Sequence, residues 1–455
     1  MAICSTINLS EIRPDRFDAE YFSKSYKDNL QLLEKTGNVS TLGRLFAKVD
    51  RGDKAEYRTV GPIPVLRSVN VRTLGFNDTR QEYVTDEYFI KKPRGRVIKD
   101  DIIITSTGTG TLGRTSIWYK STKAFNVPEN SFLRGPINVD PYLIAAFLST
   151  QFGIQQLFQH QRGSSGQLHL YPVDIKRIIV PECLFYFQNE IGSYLRKAFD
   201  LLELSKNLYE KACDVFEEKF NLKEIFLVKP TNYVVNISEI ADSRRMNSEY
   251  FSPSVKNILM QPFLVNSKTI GSLYQIIRGT SPKGYMKNGI PVIKTKNIRV
   301  PEIDRDRISD FVLSTKNLTT IQEDDLLLAS MGVGSLGRMS YILSLEEDTV
   351  VDGTIRVFRR KSSTPINYEI PTLLFLSTKV GQELIYRGIV GSTGIISLPD
   401  DYLCKIPIPY FPEDLCLELT RLVKESMMAK RESQRLLEEA KSRVVQLIEE
   451  AANKN

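Results

Sequence analysis

The sequence predicts an α+β protein: two repeated mixed α/β globular domains, separated by two long α-helices that form an antiparallel coiled coil. Two observations carry this prediction. The first is an ordered internal repeat. NLSEI at Asn8–Ile12 returns as NISEI at Asn236–Ile240, and RFDAEYF (Arg16–Phe22) returns as RMNSEYF (Arg245–Phe251). IPVLRSVNVR (Ile63–Arg72) matches IPVIKTKNIR (Ile290–Arg299), and FLST recurs at Phe147–Thr150 and Phe375–Thr378. DDIIITSTGTGTLGRTS (Asp100–Ser116) matches DDLLLASMGVGSLGRMS (Asp324–Ser340), so the separation stays close to 228 residues throughout. Such self-similarity marks one structural unit used twice. The second observation is a pair of heptad seams. Ile191, Ala198, Leu201, Leu208 and Ala212 recur at spacings of three and four, as do Leu419, Leu422, Leu436 and Ala440. Narrow apolar stripes of this kind are best satisfied by burial against each other. Each helix can run over ~30 residues, or ~45 Å.

Taken in order, each copy has the same coarse plan. Ala19–Lys35 has helical character, and short β-rich runs follow, among them Ile63–Leu66, Asp101–Ser106 and Arg114–Trp118. Asp140 as N-cap and Pro141 in the first turn open one helix through PYLIAAFLSTQFGIQQLFQHQ. A glycine-serine loop, a strand over Ile175–Val180 and the long helix complete the copy. The second copy matches with Tyr368–Tyr386, a loop at Gly391–Gly394 and a strand over Leu403–Ile408. The expected boundaries are 1–181, a spacer helix over 182–227, then 228–410 and a second spacer helix over 411–455. Leu74–Lys99 and Pro301–Glu323 differ in sequence and length, as loops that diverged around a shared skeleton would.

Composition narrows the function classes. Hydrophobic residues make up 42% and charged residues 25%, the balance of an ordinary soluble protein. No apolar run approaches the ~20 residues of a membrane helix, and the first residues lack a signal peptide's basic start. No membrane role is expected. Five cysteines without a close pair suggest a reduced, cytoplasmic setting. With only His160 and His169, a histidine metal site or catalytic triad is not expected, and no cofactor is called for. Net charge is +7, which permits a polyanionic partner without requiring one.

Gly108, Gly110 and Gly113 fit GxGxxG, as do Gly332, Gly334 and Gly337. A dinucleotide fingerprint needs a helix directly afterwards to aim its N-terminus at the pyrophosphate. RTSIWYK and RMSYILS look β-like instead, which predicts a strand–turn–strand closed by Ser106 and Ser330. Arg114 and Arg338 follow the third glycine and could reach a phosphate or pair with a local aspartate. Asp100-Asp101 and Asp324-Asp325 read as turns before strands, not as a catalytic carboxylate pair. Candidate nucleic-acid contacts are the polar loop residues that both copies share. Arg67, Asn70 and Arg72 match Lys294, Asn297 and Arg299. Ser164, Ser165, Gln167 and His169 sit in the glycine-serine loop, against Ser392 and Thr393 in the second copy. Asn and Arg can read base edges, and Lys or Arg can hold phosphates. An exposed polar side chain without a partner is the plainer alternative for each.

At this point the arrangement resembles the specificity subunits of type I restriction–modification systems. The resemblance rests on RFDAEYF/RMNSEYF, TSTGTGTLGRTSI/ASMGVGSLGRMSY, the glycine-serine loop, a strand ending at Pro181 or Pro409, and a long helix, in that order across the chain. The Pro-Pro-x-x-Glu-Gln helix entry of that family survives only in part as Phe187-Gln188, and less at Phe411–Asp414. The resemblance implies that each domain is a target-recognition domain reading half of a bipartite asymmetric target in double-stranded DNA. It implies that the helix pair acts as a ruler and docks two methyltransferase subunits, which translocase/nuclease subunits can then join. The chain itself would be non-catalytic. Two other classes stay open: a nucleotide-dependent enzyme built on the GxGxxG turns, and a coiled-coil scaffold without DNA binding.

Overall fold

The computed structural model describes residues 12, 15–108, 110–163, 168–225, 227, 230–243, 245–391 and 396–454. The chain divides into two compact units: Met1–Leu202 with Arg431–Asn455, and Glu203–Lys430. Both are mixed α/β, and both are reached by the two long helices, Gln188–Lys219 and Glu413–Lys454.

Unit 1 is organised on the strand Ile102–Thr105, all four residues of which are buried. It lies between Asn130–Pro136 and Thr115–Ile117, with Phe46–Arg51 on the outer flank and every pairing antiparallel. Side chains alternate across a strand, so this one serves two cores. Ile102 and Ile104 pack with Leu143, Phe147 and Phe199, while Ile103 joins Trp118, Val97 and Phe132. A smaller sheet runs Tyr83–Val84, Ile63–Leu66, Ala124–Asn126, Arg96–Val97, with its central pair parallel.

Unit 2 repeats the plan. Its sheet order is Tyr274–Arg278, Ile355–Arg360, Leu326–Ala329, Met339–Tyr341. Leu326 and Leu328 face Leu373 and Phe375, and Leu327 and Ala329 face Ile293 and Val351. The smaller sheet has Ile290–Ile293 beside Phe311–Val312 and, in parallel, Val350–Val351.

The paired aspartates are turns, and also more than that. Asp100 and Asp324 adopt positive φ (72° and 65°) ahead of the central strand. The second aspartate of each pair is buried and takes an arginine in a two-pronged grip. Arg134 reaches Asp101 at 2.8 and 2.6 Å, and Arg359 reaches Asp325 at 3.1 and 2.8 Å. Burial pushes both carboxyls above the usual range, with the arginine pulling the other way.

Three expectations about elements need correction. The helix expected from Pro141 onward is two helices, Pro141–Leu148 and Gln151–Gln159, and unit 2 has Glu369–Ser377 and Lys379–Arg387. The break is the repeated FLST. Thr150 and Thr378 stop the first helix, their hydroxyls donating to the carbonyls of Phe147 and Phe375 at 2.7 and 2.6 Å. Thr378 then accepts from the Gly381 amide and starts the second helix. The strands expected over Ile175–Val180 and Leu403–Ile408 shorten to Ile179–Pro181 and Pro407–Ile408, each preceded by a helical turn. Finally, the Ser106 and Ser330 hydroxyls do not close the glycine turns; they bond to Ser131 Oγ on the neighbouring strand and to the Thr354 carbonyl just ahead of the strand Ile355–Arg360.

The FLST break depends on glycine. A Cβ on Gly153 would stand 2.5 Å from the Phe147 carbonyl oxygen, and one on Gly381 would stand 2.2 Å from that of Phe375. Neither backbone can yield cheaply, so Gly153→Ala and Gly381→Ala should each cost about 1–3 kcal/mol. Guanidinium unfolding checks this; a change below about 0.5 kcal/mol would mean the two helices separate freely.

The long helices run antiparallel within each unit. In unit 1, Ile191, Leu195 and Ala198 are buried with Ala440, Val444 and Ile448, and Ser433 donates to the Ala198 carbonyl at 2.6 Å. In unit 2, Ala212 and Phe216 meet Leu419, Leu422 and Val423, and Ser426 donates to the Ser205 carbonyl at 2.7 Å. Small residues at the seam let the backbones approach closely enough for a serine to span them. Leu436 is buried, while Leu201 and Leu208 are half-buried. Asp140 caps its helix through the Tyr142 amide and also takes Arg196 of the long helix at 2.8 Å.

Candidate nucleic-acid interface

In each unit three segments converge on one edge. The first follows the IPV strand. Asn70 is fully buried, and its amide is committed to the backbone. The side-chain oxygen accepts from the Arg67 amide (3.2 Å), and the nitrogen donates to the Asn77 and Thr79 carbonyls (3.1 and 3.2 Å). Asn297 does the same in unit 2, accepting from the Lys294 amide (3.0 Å) and donating to the Asp304 carbonyl (3.3 Å). These asparagines are loop clasps, and their side chains are not offered to solvent. The cation that opens each loop is also held. Arg67 pairs with Glu82 at 2.5 Å, and Lys294 pairs with Asp310 at 2.9 Å while lying 3.6 Å over the Tyr285 ring. Lys296, and then Lys294, hold the Asp310 carboxyl well below the usual carboxylate range.

The second segment is the glycine turn. Gly108, Gly110 and Gly113 have φ of 115°, 80° and 82°; Gly332, Gly334 and Gly337 have 97°, 75° and 87°. Only glycine adopts such angles without steric cost. Thr111 and Ser335 close the turns, their hydroxyls donating to the carbonyls of Thr107 and Gly108, and of Met331 and Gly332. A strand follows each turn directly, Thr115–Ile117 and Met339–Tyr341. The clasp loop is bonded to that strand. The Leu74 amide donates to the Thr115 carbonyl at 2.8 Å; in unit 2 the Arg299 amide donates to Ser340 Oγ at 3.0 Å. Arg114 folds back onto the Gly110 carbonyl (3.0 Å), and Arg338 is exposed.

The third segment is the glycine-serine loop. Ser164, Ser165, Gln167, Ser392 and Thr393 lie outside the described residues, but the loop's two stems do not. Arg162 and His169 exchange amide bonds at 2.8 Å, and Val390 and Ser397 do so at 2.9 Å. Each stem is stapled to the glycine turn, by Leu170 to the Ser106 carbonyl and by Leu398 to the Ser330 carbonyl, both at 2.9 Å or less. His169 Nδ1 also sits 3.2 Å from Thr107 Oγ1.

Sequence reasoning missed the residue that anchors this third segment. Arg16, only 3% exposed, donates to the carbonyls of Gln159, His160 and Gln161 at the end of the helix that leads into the loop. Arg245 does the same with Gly388 and Ile389. A cation on orphan helix carbonyls satisfies both their hydrogen-bonding and the helix dipole. The signal was present in RFDAEYF/RMNSEYF, where the arginine is retained although the next three residues change.

Among the described residues no group of His, Cys, Asp and Glu could hold a metal ion, and no helix is long and apolar enough to cross a membrane. No protein-family model and no curated protein matches the sequence. Solved structures similar to the chain include the type I restriction–modification system S subunit from M. genitalium, at 14% identity over 91% of this chain and 95% of that one, with a TM-score of 0.49. Another, described by the complex assembly and conformational transition of the type I R-M system, has 12% identity over 91% and 97% and a TM-score of 0.31. The HsdS subunit from Thermoanaerobacter tengcongensis has 12% identity over 92% and 95% and a TM-score of 0.27.

Proposed function

We propose that the chain is the DNA-recognition subunit of a type I restriction–modification complex. Residues 1–181 and 228–410 each read one half of a bipartite target, and the helices in 182–227 and 411–455 dock two methyltransferase subunits. The chain supplies recognition, and catalysis resides in its partners. One observation carries the reading: the same three-segment edge is built twice with a constant frame and different tips. Asn70 and Asn297 shape the same loop, yet the exposed residue between clasp and cation is Val69 in one and Lys296 in the other. That is the arrangement expected of two readers of one polymer with different preferences. The enzyme alternative is disfavoured by the strand that follows Gly113 and Gly337, since a pyrophosphate would find no helix N-terminus there.

The test exchanges tips and keeps the frame. Arg67→Lys, Ser68→Thr and Val69→Lys together place the unit 2 tip on the unit 1 clasp. Purified with the products of its genomic neighbours, the variant should methylate a motif altered at one end only. A side chain that reads a base edge is worth ~1–3 kcal/mol, so the preference at that position should change roughly 5- to 150-fold. A motif altered at both ends, or no sequence preference in the wild type, would overturn the reading.

A further inference from the structure

We propose that each unit carries a three-arginine site for the phosphodiester backbone of the duplex: Arg72, Arg80 and Arg114 in unit 1, and Arg299, Arg307 and Arg338 in unit 2. This deepens the DNA-recognition reading and rests on it; Arg80 and Arg307 are its new members. They lie in loops whose sequences diverged, and the clasp fixes the register between them. The Asn77 amide donates to the Asn70 carbonyl at 2.9 Å, and the Asp304 amide donates to the Asn297 carbonyl at 2.8 Å. Asn77 is therefore the counterpart of Asp304, and Arg80 that of Arg307. From Thr73 to Gln81, matched with Val300 to Ile308, the arginine is the one residue that both copies keep. Neither arginine is in the core: both are exposed, and Arg307 pairs with Asp304 at 3.1 Å while retaining 58% of its side-chain exposure. Packing therefore does not explain why the residue is retained.

The backbone brings the other two arginines to the same place. The clasp loop carrying Arg299 is bonded to Ser340, two residues beyond Arg338. Burial, then Arg338, then Arg307 draw the Arg299 guanidinium below its ordinary value. Asp304 opposes them and pairs with Arg307. In unit 1 the corresponding position is the neutral Asn77, whose amide oxygen, once the amide is turned, lies 2.6 and 3.0 Å from Arg72. Permanently charged forks gathered in this way are matched by phosphate oxygens, which a guanidinium can grip in pairs. Because these contacts ignore the bases, the site sets affinity and register and leaves the sequence preference to the tips.

The experiment uses the full chain, alone and with the products of its genomic neighbours, and follows duplex binding against salt concentration. Arg80→Gln and Arg307→Gln should each lower the salt slope by about one and weaken all sequences alike, with the methylated motif unchanged. Arg307→Lys should restore most of the slope. In parallel, inorganic phosphate is titrated onto the chain and the arginine Nε–H resonances are followed. If the wild type binds duplex but both Gln variants keep its slope, the site is wrong while the recognition reading stands. A motif shift in Arg307→Gln would make the residue a base reader and also overturn the site. If no duplex binds but phosphate shifts the Arg299 and Arg338 signals, and Arg307→Gln abolishes the shift, the recognition reading fails and the site is one for free phosphate. Silence in both arms removes both.

Discussion

Asp101→Ala should destabilise unit 1 by about 3 kcal/mol and leave unit 2 intact. The carboxylate is 1% exposed and receives two bonds from Arg134 and one from the Ile98 amide at 2.9 Å. Removing one partner of a buried pair strands the other charge, at ~3–5 kcal/mol; the lower end applies because Arg134 keeps 22% of its side chain in water. The chain contains a convenient reporter, since its single tryptophan, Trp118, is buried in unit 1 and its amide bonds to the Asp101 carbonyl at 2.8 Å. Tryptophan fluorescence against guanidinium should show an earlier midpoint for Asp101→Ala and none for Asp325→Ala, which should be felt only by far-UV circular dichroism. Asp101→Ala combined with Arg134→Met should recover much of the loss. A single-mutant cost under about 1 kcal/mol would show that water already reaches the pair.

Asn70→Leu should open the loop that Asn70 clasps while the sheet beneath stays folded. The leucine strands one amide and two carbonyls, each worth ~1–3 kcal/mol if buried and less once the loop lets water in. The expected sum is about 3 kcal/mol, taken as local opening: the Arg67 and Asn77 amides lose protection from hydrogen exchange, and those of Ile102–Thr105 do not. Under the proposed function, recognition of one half-site weakens and that of the other holds. Asn297→Leu should mirror the result at the opposite end. Full exchange protection in Asn70→Leu would mean the loop is held by Arg67 and Glu82 instead.

Much of this architecture was legible because it is written twice. The repeats located the central strands, whose unbroken apolar runs after the paired aspartates reflect burial on both faces of the sheet. What escaped was set by single side-chain contacts. FLST looked like the middle of an apolar helix, because a threonine hydroxyl turning back on its own helix and a glycine seated on a carbonyl leave little trace in periodicity. Asn70 and Asn297 looked like base readers because a residue that folds a loop and one that reads DNA share a composition; only their burial separates the two. The loops after them looked unrelated because their shared clasp is made of backbone carbonyls, which any side chain can accompany.

The division of the chain also bears on how it is made. Unit 2 is continuous, whereas the core of unit 1 is closed by Ala440, Val444, Leu447 and Ile448 from the second long helix. On the ribosome those residues emerge only after the whole of unit 2 has been synthesised. The first-made unit is therefore the last to be completed, and until then the buried faces of Ile191, Leu195 and Phe199 have no cover from that helix. Such a face is a target for chaperones during translation.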